Sequence, residues 1–154
     1  MTNIPPLSDL LPHDMPMVLV DTLVEVSAFA VHCQVTVHEG GLFFDAERRE
    51  LPGYVGIELM AQTIGGWSGY HAWCRGEVSP VGFLLGSRRY QTACAAFPEH
   101  SVLDIYAEQV LENNGMAVFA CRIEQQGQVL ATSQLNVFVP SPEKLDHMLN
   151  RNPS

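Results

Sequence analysis

Lysine is almost missing from this chain. Of 154 residues only Lys144 is one, and eight Lys and Arg face seventeen Asp and Glu, for a net charge of −9. Nucleic-acid binders draw most of their affinity from phosphate neutralisation, so a surface this poor in cations argues against that class. The same shortage disfavours attachment to anionic lipid. No apolar run approaches the roughly 20 residues of a membrane-spanning helix. The opening segment MTNIPPLSDLLPHDMP lacks the basic start and apolar centre of a secretory leader, so a cytoplasmic location is expected. Paired cysteines are missing too. Cys33, Cys74, Cys94 and Cys121 form no CxxC pair and no ligand-like spacing with histidine, so free core thiols are expected and a structural zinc is not.

What is present is apolar: 47% hydrophobic against 16% charged residues, which excludes a disordered or highly charged tail. A chain of this length hides roughly 70% of its unfolded surface, enough for a core without staples. There is no internal repeat, low-complexity tract or linker, so one domain over residues 1–154 is expected. Residues 1–16 hold four of the ten prolines and read as an irregular arm. Residues 17–26 read as a strand. Residues 29–38 alternate strictly, with Phe29, Val31, Cys33, Val35 and Val37 on one face and His32 and His38 on the other, the pattern of a half-buried strand.

A looser segment, 39–53, carries Gly40-Gly41, a charged run and Pro52-Gly53. Residues 54–73, YVGIELMAQTIGGWSGYHAW, are apolar nearly all round and too long for a strand, so they predict a helix surrounded by protein. Gly56, Gly65, Gly66 and Gly69 each weaken that helix, and make sense where a neighbouring backbone packs close. Strands are predicted at 81–90, 101–111, 116–125 and 128–139, with hairpin signals at Asn113-Asn114-Gly115 and Gln126-Gly127. A short polar helix, SPEKLDHMLN, begins at Ser141 and leaves a tail to residue 154. The order of two strands, one long helix and four strands predicts an α+β fold, an antiparallel sheet with a single central helix.

Within the predicted helix, Glu58 sits among Ile57, Leu59 and Met60, and Gln62 follows one turn later on its face. A carboxylate in apolar surroundings loses hydration, its pKa rises, and it becomes a general acid or base poised near neutrality. The other reading sends Glu58 to solvent at the helix N-terminus, where the macrodipole favours an anion. The residues alone leave both open.

The segment LPHDMPMVLVD at 11–21 together with LPGYVGIELMAQ at 51–62 resembles the 3-hydroxyacyl-[acyl-carrier-protein] dehydratases of the hotdog superfamily. Those enzymes carry an L-P-H-x-x-P segment and a P-G-x-x-x-x-E-x-x-A-Q segment opening the central helix, and the order of elements agrees over about residues 8–140. ELMAQTIGGWSGYH is similar to the dehydratase-like proteins of aryl polyene pathways. The resemblance implies a hotdog fold, with the sheet wrapped around the helix. It implies a dimer whose two six-stranded sheets join into one, with sites at the subunit interface. The substrate would be a 3-hydroxyacyl thioester on the phosphopantetheine arm of an acyl carrier protein, dehydrated to a trans-2-enoyl thioester without a cofactor of the enzyme's own. By that resemblance Glu58 is the catalytic carboxylate and Gln62 supports the site. Backbone N–H groups near Val55 and Gly56, after the Pro52-Gly53 turn, would polarise the thioester carbonyl.

One departure is prominent. The family carries a catalytic histidine in a G-H-F-P-G segment before the PG motif, whereas this chain has FFDAERREL at 43–51, without histidine. His13, in the matching LPH segment, is the first candidate substitute; its alternative role is to orient the N-terminal arm. His71 lies thirteen residues beyond Glu58, about 20 Å along one helix, and is out of reach. His32 and His38 are expected in solvent, and His100 and His147 in turn and tail. Arg48-Arg49 and Arg88-Arg89 could form a basic docking patch for an acidic carrier protein, although strand alternation sends Arg88 and Arg89 to opposite faces. Tyr54, Trp67, Tyr70 and Trp73 either shape a tunnel or fill the core. Three functions are then in play: a dehydratase or dehydratase-like subunit, a non-catalytic partner subunit completing a heteromeric dehydratase with a histidine-bearing hotdog chain, and an acyl thioesterase.

Overall fold

The computed structural model describes residues 4–10, 19–41, 43–77 and 83–138. His13 with the LPH segment, the first residues of the strands predicted at 17–26 and 81–90, and the helix predicted at 141–150 lie outside the described residues, in part or whole.

Six strands form one antiparallel sheet: β1 (Thr22–Val26), β2 (Ala30–Thr36), β4 (Phe83–Thr92), β6 (Val102–Asn113), β7 (Met116–Gln125) and β8 (Gln128–Phe138). A two-residue loop at Asn114-Gly115 joins β6 to β7, and Gln126-Gly127 joins β7 to β8. All four loop residues have positive φ (52°, 87°, 52° and 82°), the geometry whose twist matches a hairpin. The order across the sheet is β1-β2-β6-β7-β8-β4, so β4, although it precedes β6 in sequence, closes the far edge. The crossing is made by the long helix α2 (Gly56–Cys74), one residue longer at its end than predicted and entered through a tight 3-10 turn at Gly53–Val55. This is the hotdog arrangement implied by the resemblance.

Two short strands escaped the sequence pattern. β3 (Glu50–Pro52) pairs with β5 (Ala96–Pro98) in a separate small ladder, Leu51 opposite Phe97. Each is three residues long and ends in proline, too short for a period of two to show. Leu51 and Phe97 are both buried, so the ladder forms a strap anchored in the core.

The core lies between the concave sheet face and α2. Val31, Cys33, Val35 and Val37 point inward as predicted, and meet Leu59, Met60 and Ile64 of the helix and Ile105, Phe119, Ile123 and Leu135 of the central strands. Phe29 does not follow its alternation: it sits in the turn between β1 and β2 and is 62% exposed. Cys33 and Cys121 are buried free thiols, whereas Cys74 at the end of α2 is exposed, so only some of the cysteines serve the core. At Gly69 the expected close approach is real. The carbonyl of Leu10, the last residue of the short helix α1 (Leu7–Leu10), lies where a side chain would begin.

Two predictions follow from this packing. Gly69→Ala should push α1 off the helix and destabilise the fold by about 1–3 kcal/mol, the usual cost of overpacking, read by chemical denaturation. Burial pushes the Cys33 and Cys121 thiols from 9.0 up to about 12. Ionisation of these thiols therefore favours the unfolded chain, and the stability they carry is present below pH 9 and lost as pH climbs toward 12. Melting curves from pH 8 to 11 should show a decline that is shallower in the Cys33→Ala/Cys121→Ala double variant.

Candidate active site at the N-terminus of the central helix

The start of α2 is held by a stretch of chain that runs from β4 to β5. The Gly53 N–H donates to the Ala95 carbonyl at 2.8 Å, and a Cβ on Gly53 would stand 2.8 Å from that same oxygen, so glycine is required. The Gly53 carbonyl accepts two donors, the N–H of Gly56 and the hydroxyl of Tyr90 on β4. Gly56 in turn has no room for a side chain, because the Tyr90 hydroxyl lies against it and Ile123 Cδ1 would be 3.1 Å away. The glycine that weakens the helix on propensity is thus the one that lets an edge-strand tyrosine reach it. Sequence reasoning missed Tyr90; the only signal was the glycine in the first helical turn.

Tyr90 reaches the helix because β4 carries an extra residue. Arg88 pairs with Gln134 and Gln91 with Thr132, so three steps on β4 match two on β8, and Arg89 takes a φ of 56°. This bulge reverses the alternation and turns Tyr90 onto the concave face. The Arg88 carbonyl, displaced from the ladder, accepts the Ser133 hydroxyl at 3.1 Å. The expectation that Arg88 and Arg89 face opposite ways fails for the same reason. Both are exposed, in adjacent depressions that share Gln134 on the outer face.

Glu58 lies in the first turn of α2 and is exposed in the single chain, as is Tyr54 at 71%. Of the two readings left open, the single chain has the exposed one: Leu59, Met60 and Gln62 turn inward, and Glu58, two residues after Gly56, turns outward. Gln62 is 6% exposed, and its Oε1 accepts the N–H groups of Leu19, at 2.6 Å, and of Val20. Its bonds thus clamp the chain leaving residues 11–18 onto the helix. Val55 and Gly56 are buried, and the Gly56 N–H already donates to Gly53 rather than standing free for a carbonyl.

The segment that replaces the family's histidine is a closed, ion-paired turn. The Asp45 carboxylate accepts the N–H groups of Glu47 and Arg48 at 3.0 and 3.1 Å. Arg49 bonds both oxygens of Glu99, reaches Glu39 and lies over the Phe44 ring. The Glu99 and Glu39 carboxylates raise the pKa of the Arg49 guanidinium, and Arg49 holds the Glu99 carboxyl below its usual range. With its charge answered twice, Arg49 offers little to an acidic partner; Arg48 is exposed.

The four described histidines are engaged elsewhere. His32, expected in solvent, is half-buried: it meets Asp104 at 2.7 Å and stacks on Tyr106 at 4.2 Å. His38 is exposed as expected, and its Nδ1 accepts the Gly40 N–H. His71 bonds the Ser27 carbonyl at 2.8 Å, beside a recess of about 490 Å³ at the far half of α2 that also includes Trp67 and Arg75. His100 sits in a turn with a φ of 74°, near Glu99. Trp67 and Tyr70 pack on the core, while Tyr54 and Trp73 are largely exposed. Among the described residues, no three His, Cys, Asp or Glu side chains gather as a metal set, and no helix is long and apolar enough to cross a membrane.

The fold has relatives among proteins solved with coenzyme A or acetyl CoA. A hypothetical thioesterase with coenzyme A from Streptococcus pneumoniae TIGR4 matches at 17% identity, over 78% of this chain and 85% of that one, with a TM-score of 0.61. The smu.793 protein from Streptococcus mutans UA159, bound to acetyl CoA, matches at 15% identity over 84% and 98% of the two chains, TM-score 0.61. These likenesses show the fold alone. The particular family is narrower: the ApeP-like family, described as ApeP dehydratase, matches residues 5–150, and the chain belongs to it. A chain of the dehydratase heterocomplex ApeI:P from Xenorhabdus doucetiae is 39% identical, covers 96% of this chain and 99% of its own length, and superposes with a TM-score of 0.85.

The clamp on Gln62 gives a prediction. Gln62→Leu leaves the Leu19 and Val20 N–H groups without that acceptor and should cost about 1–3 kcal/mol, measured by urea denaturation. Hydrogen exchange should rise first at those two amides.

Proposed function

We propose that this chain is a subunit of a 3-hydroxyacyl-[acyl-carrier-protein] dehydratase, and that its Glu58 works in a site completed by a second hotdog chain docked along β4. The observation that carries the reading is the position of Glu58: exposed, in the first turn of α2, two residues after the Gly56 on which Tyr90 of β4 rests, β4 being a ten-residue strand that ends the sheet with no second neighbour among the described residues. Such an edge is a template for another strand. Pairing there would cover the helix start and remove water from Glu58, which supplies the burial that one chain lacks. Membership of a dehydratase family and likeness to a dehydratase heterocomplex support the same reading.

The chemistry needs two groups. One takes the α-proton of the 3-hydroxyacyl thioester and the other protonates the departing hydroxyl, giving a trans-2-enoyl thioester and water. Glu58 supplies one proton transfer. The segment at 43–51 has no imidazole for the other, and the histidines described above are engaged away from Glu58. A histidine from the second chain across the β4 edge fills the role. The acyl group arrives on the phosphopantetheine arm of an acyl carrier protein, and the chain requires no cofactor of its own.

The purified protein, with any hotdog chain that co-purifies, should hydrate crotonyl-pantetheine. Glu58→Gln should lower that rate by at least about 100-fold with an unchanged melting temperature, since the side chain is exposed. Full activity of the chain by itself would remove the second subunit from the scheme. Thiol release detected with a thiol-reactive dye, without hydration, would move the protein to the thioesterase class.

A further inference from the structure

We propose that Tyr90 is the positioning residue of this site, a strut from the β4 bulge that fixes the turn carrying Glu58 and makes the carboxylate's placement depend on the edge strand. The inference rests on the dehydratase reading for its catalytic consequence, and on geometry alone for the strut.

Three features combine. The bulge at Arg88–Gln91 turns Tyr90 from the outer to the concave face, and the Ser133 hydroxyl secures it by binding the Arg88 carbonyl. The Tyr90 hydroxyl then donates to the Gly53 carbonyl and rests against Gly56, two residues before Glu58. The α2 N-cap, Val55, has no side-chain cap bond, so the Tyr90 hydroxyl on the Gly53 carbonyl is the side-chain hydrogen bond that holds the turn before the helix. Desolvation, with the nearby Cys94 thiol second, pushes the Tyr90 phenol up to about 12, so it stays protonated and able to donate at any working pH. Gly53 is held on its other side by Ala95, so the stretch Tyr90–Ala95 cradles a single residue from two directions.

A strand docking on the open side of β4 would act on the backbone that bears Tyr90. Pairing that straightened or ordered β4 would be passed through the ring to the turn at Gly53–Val55, and from there to Glu58. Assembly and the aim of the carboxylate are thereby linked through one phenol.

The test is Tyr90→Phe, which keeps the ring and deletes the donor, in the protein as it assembles. Amide hydrogen exchange at residues 56–59 should quicken at least tenfold, while amides 68–72 of the same helix hold their rates. In crotonyl-pantetheine hydration, kcat should fall about tenfold with KM changed less than twofold. Unchanged exchange at 56–59, or acceleration spread over the whole helix, overturns the strut. Local acceleration with unchanged kcat overturns its role in positioning. If the wild-type assembly shows no hydration, the dehydratase reading falls, and the exchange experiment alone still decides whether Tyr90 fixes the turn.

Discussion

One carbonyl, that of Gly53, joins the two halves of this molecule. It accepts the N–H of Gly56, which starts the central helix, and the hydroxyl of Tyr90, which belongs to the last strand of the sheet. The helix crosses beneath six strands and precedes β4 in sequence only at its far end, so no regular hydrogen-bond ladder ties its first turn to β4. That tie comes from a bulge, a tyrosine and two glycines without room for a side chain. Each is unfavourable by local rules: an extra residue in a strand, a non-glycine residue at positive φ, glycine in a helix. Sequences that break local preferences in one place and gain a specific contact there are the pattern of a functional site.

Most of the sheet was legible in the sequence because period-two alternation, β-branched residues and Gly-containing loops agree with one another. The strand predicted at 116–125 matches β7 residue for residue, and the hairpins at Asn114-Gly115 and Gln126-Gly127 are where the dipeptides put them. The helix was legible by its unbroken apolar character. What escaped was tertiary in origin. The β3–β5 strap is too short to have a period, Phe29 falls in a turn and so leaves the alternation its sequence spacing suggests, and the bulge at Arg88–Gln91 in β4 inverts a strand's faces without any glycine or proline to announce it. His32 looked solvated because its partner Asp104 and its stacking neighbour Tyr106 come from a strand some seventy residues away.

The site was legible only in part, and the physical reason lies in the number of chains. Apolar neighbours in sequence suggested a desolvated Glu58, but Leu59 and Met60 turn to the core and leave the carboxylate outside. A sequence reports which residues are adjacent along a helix, not which face a second molecule will cover. Gln62 was singled out for its place one turn after Glu58; its bonds to Leu19 and Val20 are a clamp on the incoming chain, which the helical spacing did not announce.

An exposed carboxylate is a poor acid–base catalyst, because water stabilises its charge and competes for its proton. A fold that held Glu58 buried within one chain would bear the desolvation cost permanently, against a stability of only about 5–15 kcal/mol for a domain this size. Were a second chain to cover the group, as proposed, that cost would move to the association step, where new strand pairing and apolar contact along β4 would offset it. The ion-paired turn at Asp45–Glu50 fits this division of labour. The segment that bears an imidazole in related dehydratases is here closed by Arg49 on Glu99 and Glu39, a rigid shoulder rather than a reactive loop. On the proposed reading, one subunit would keep the carboxylate and its helix and the other would contribute the missing proton-transfer group.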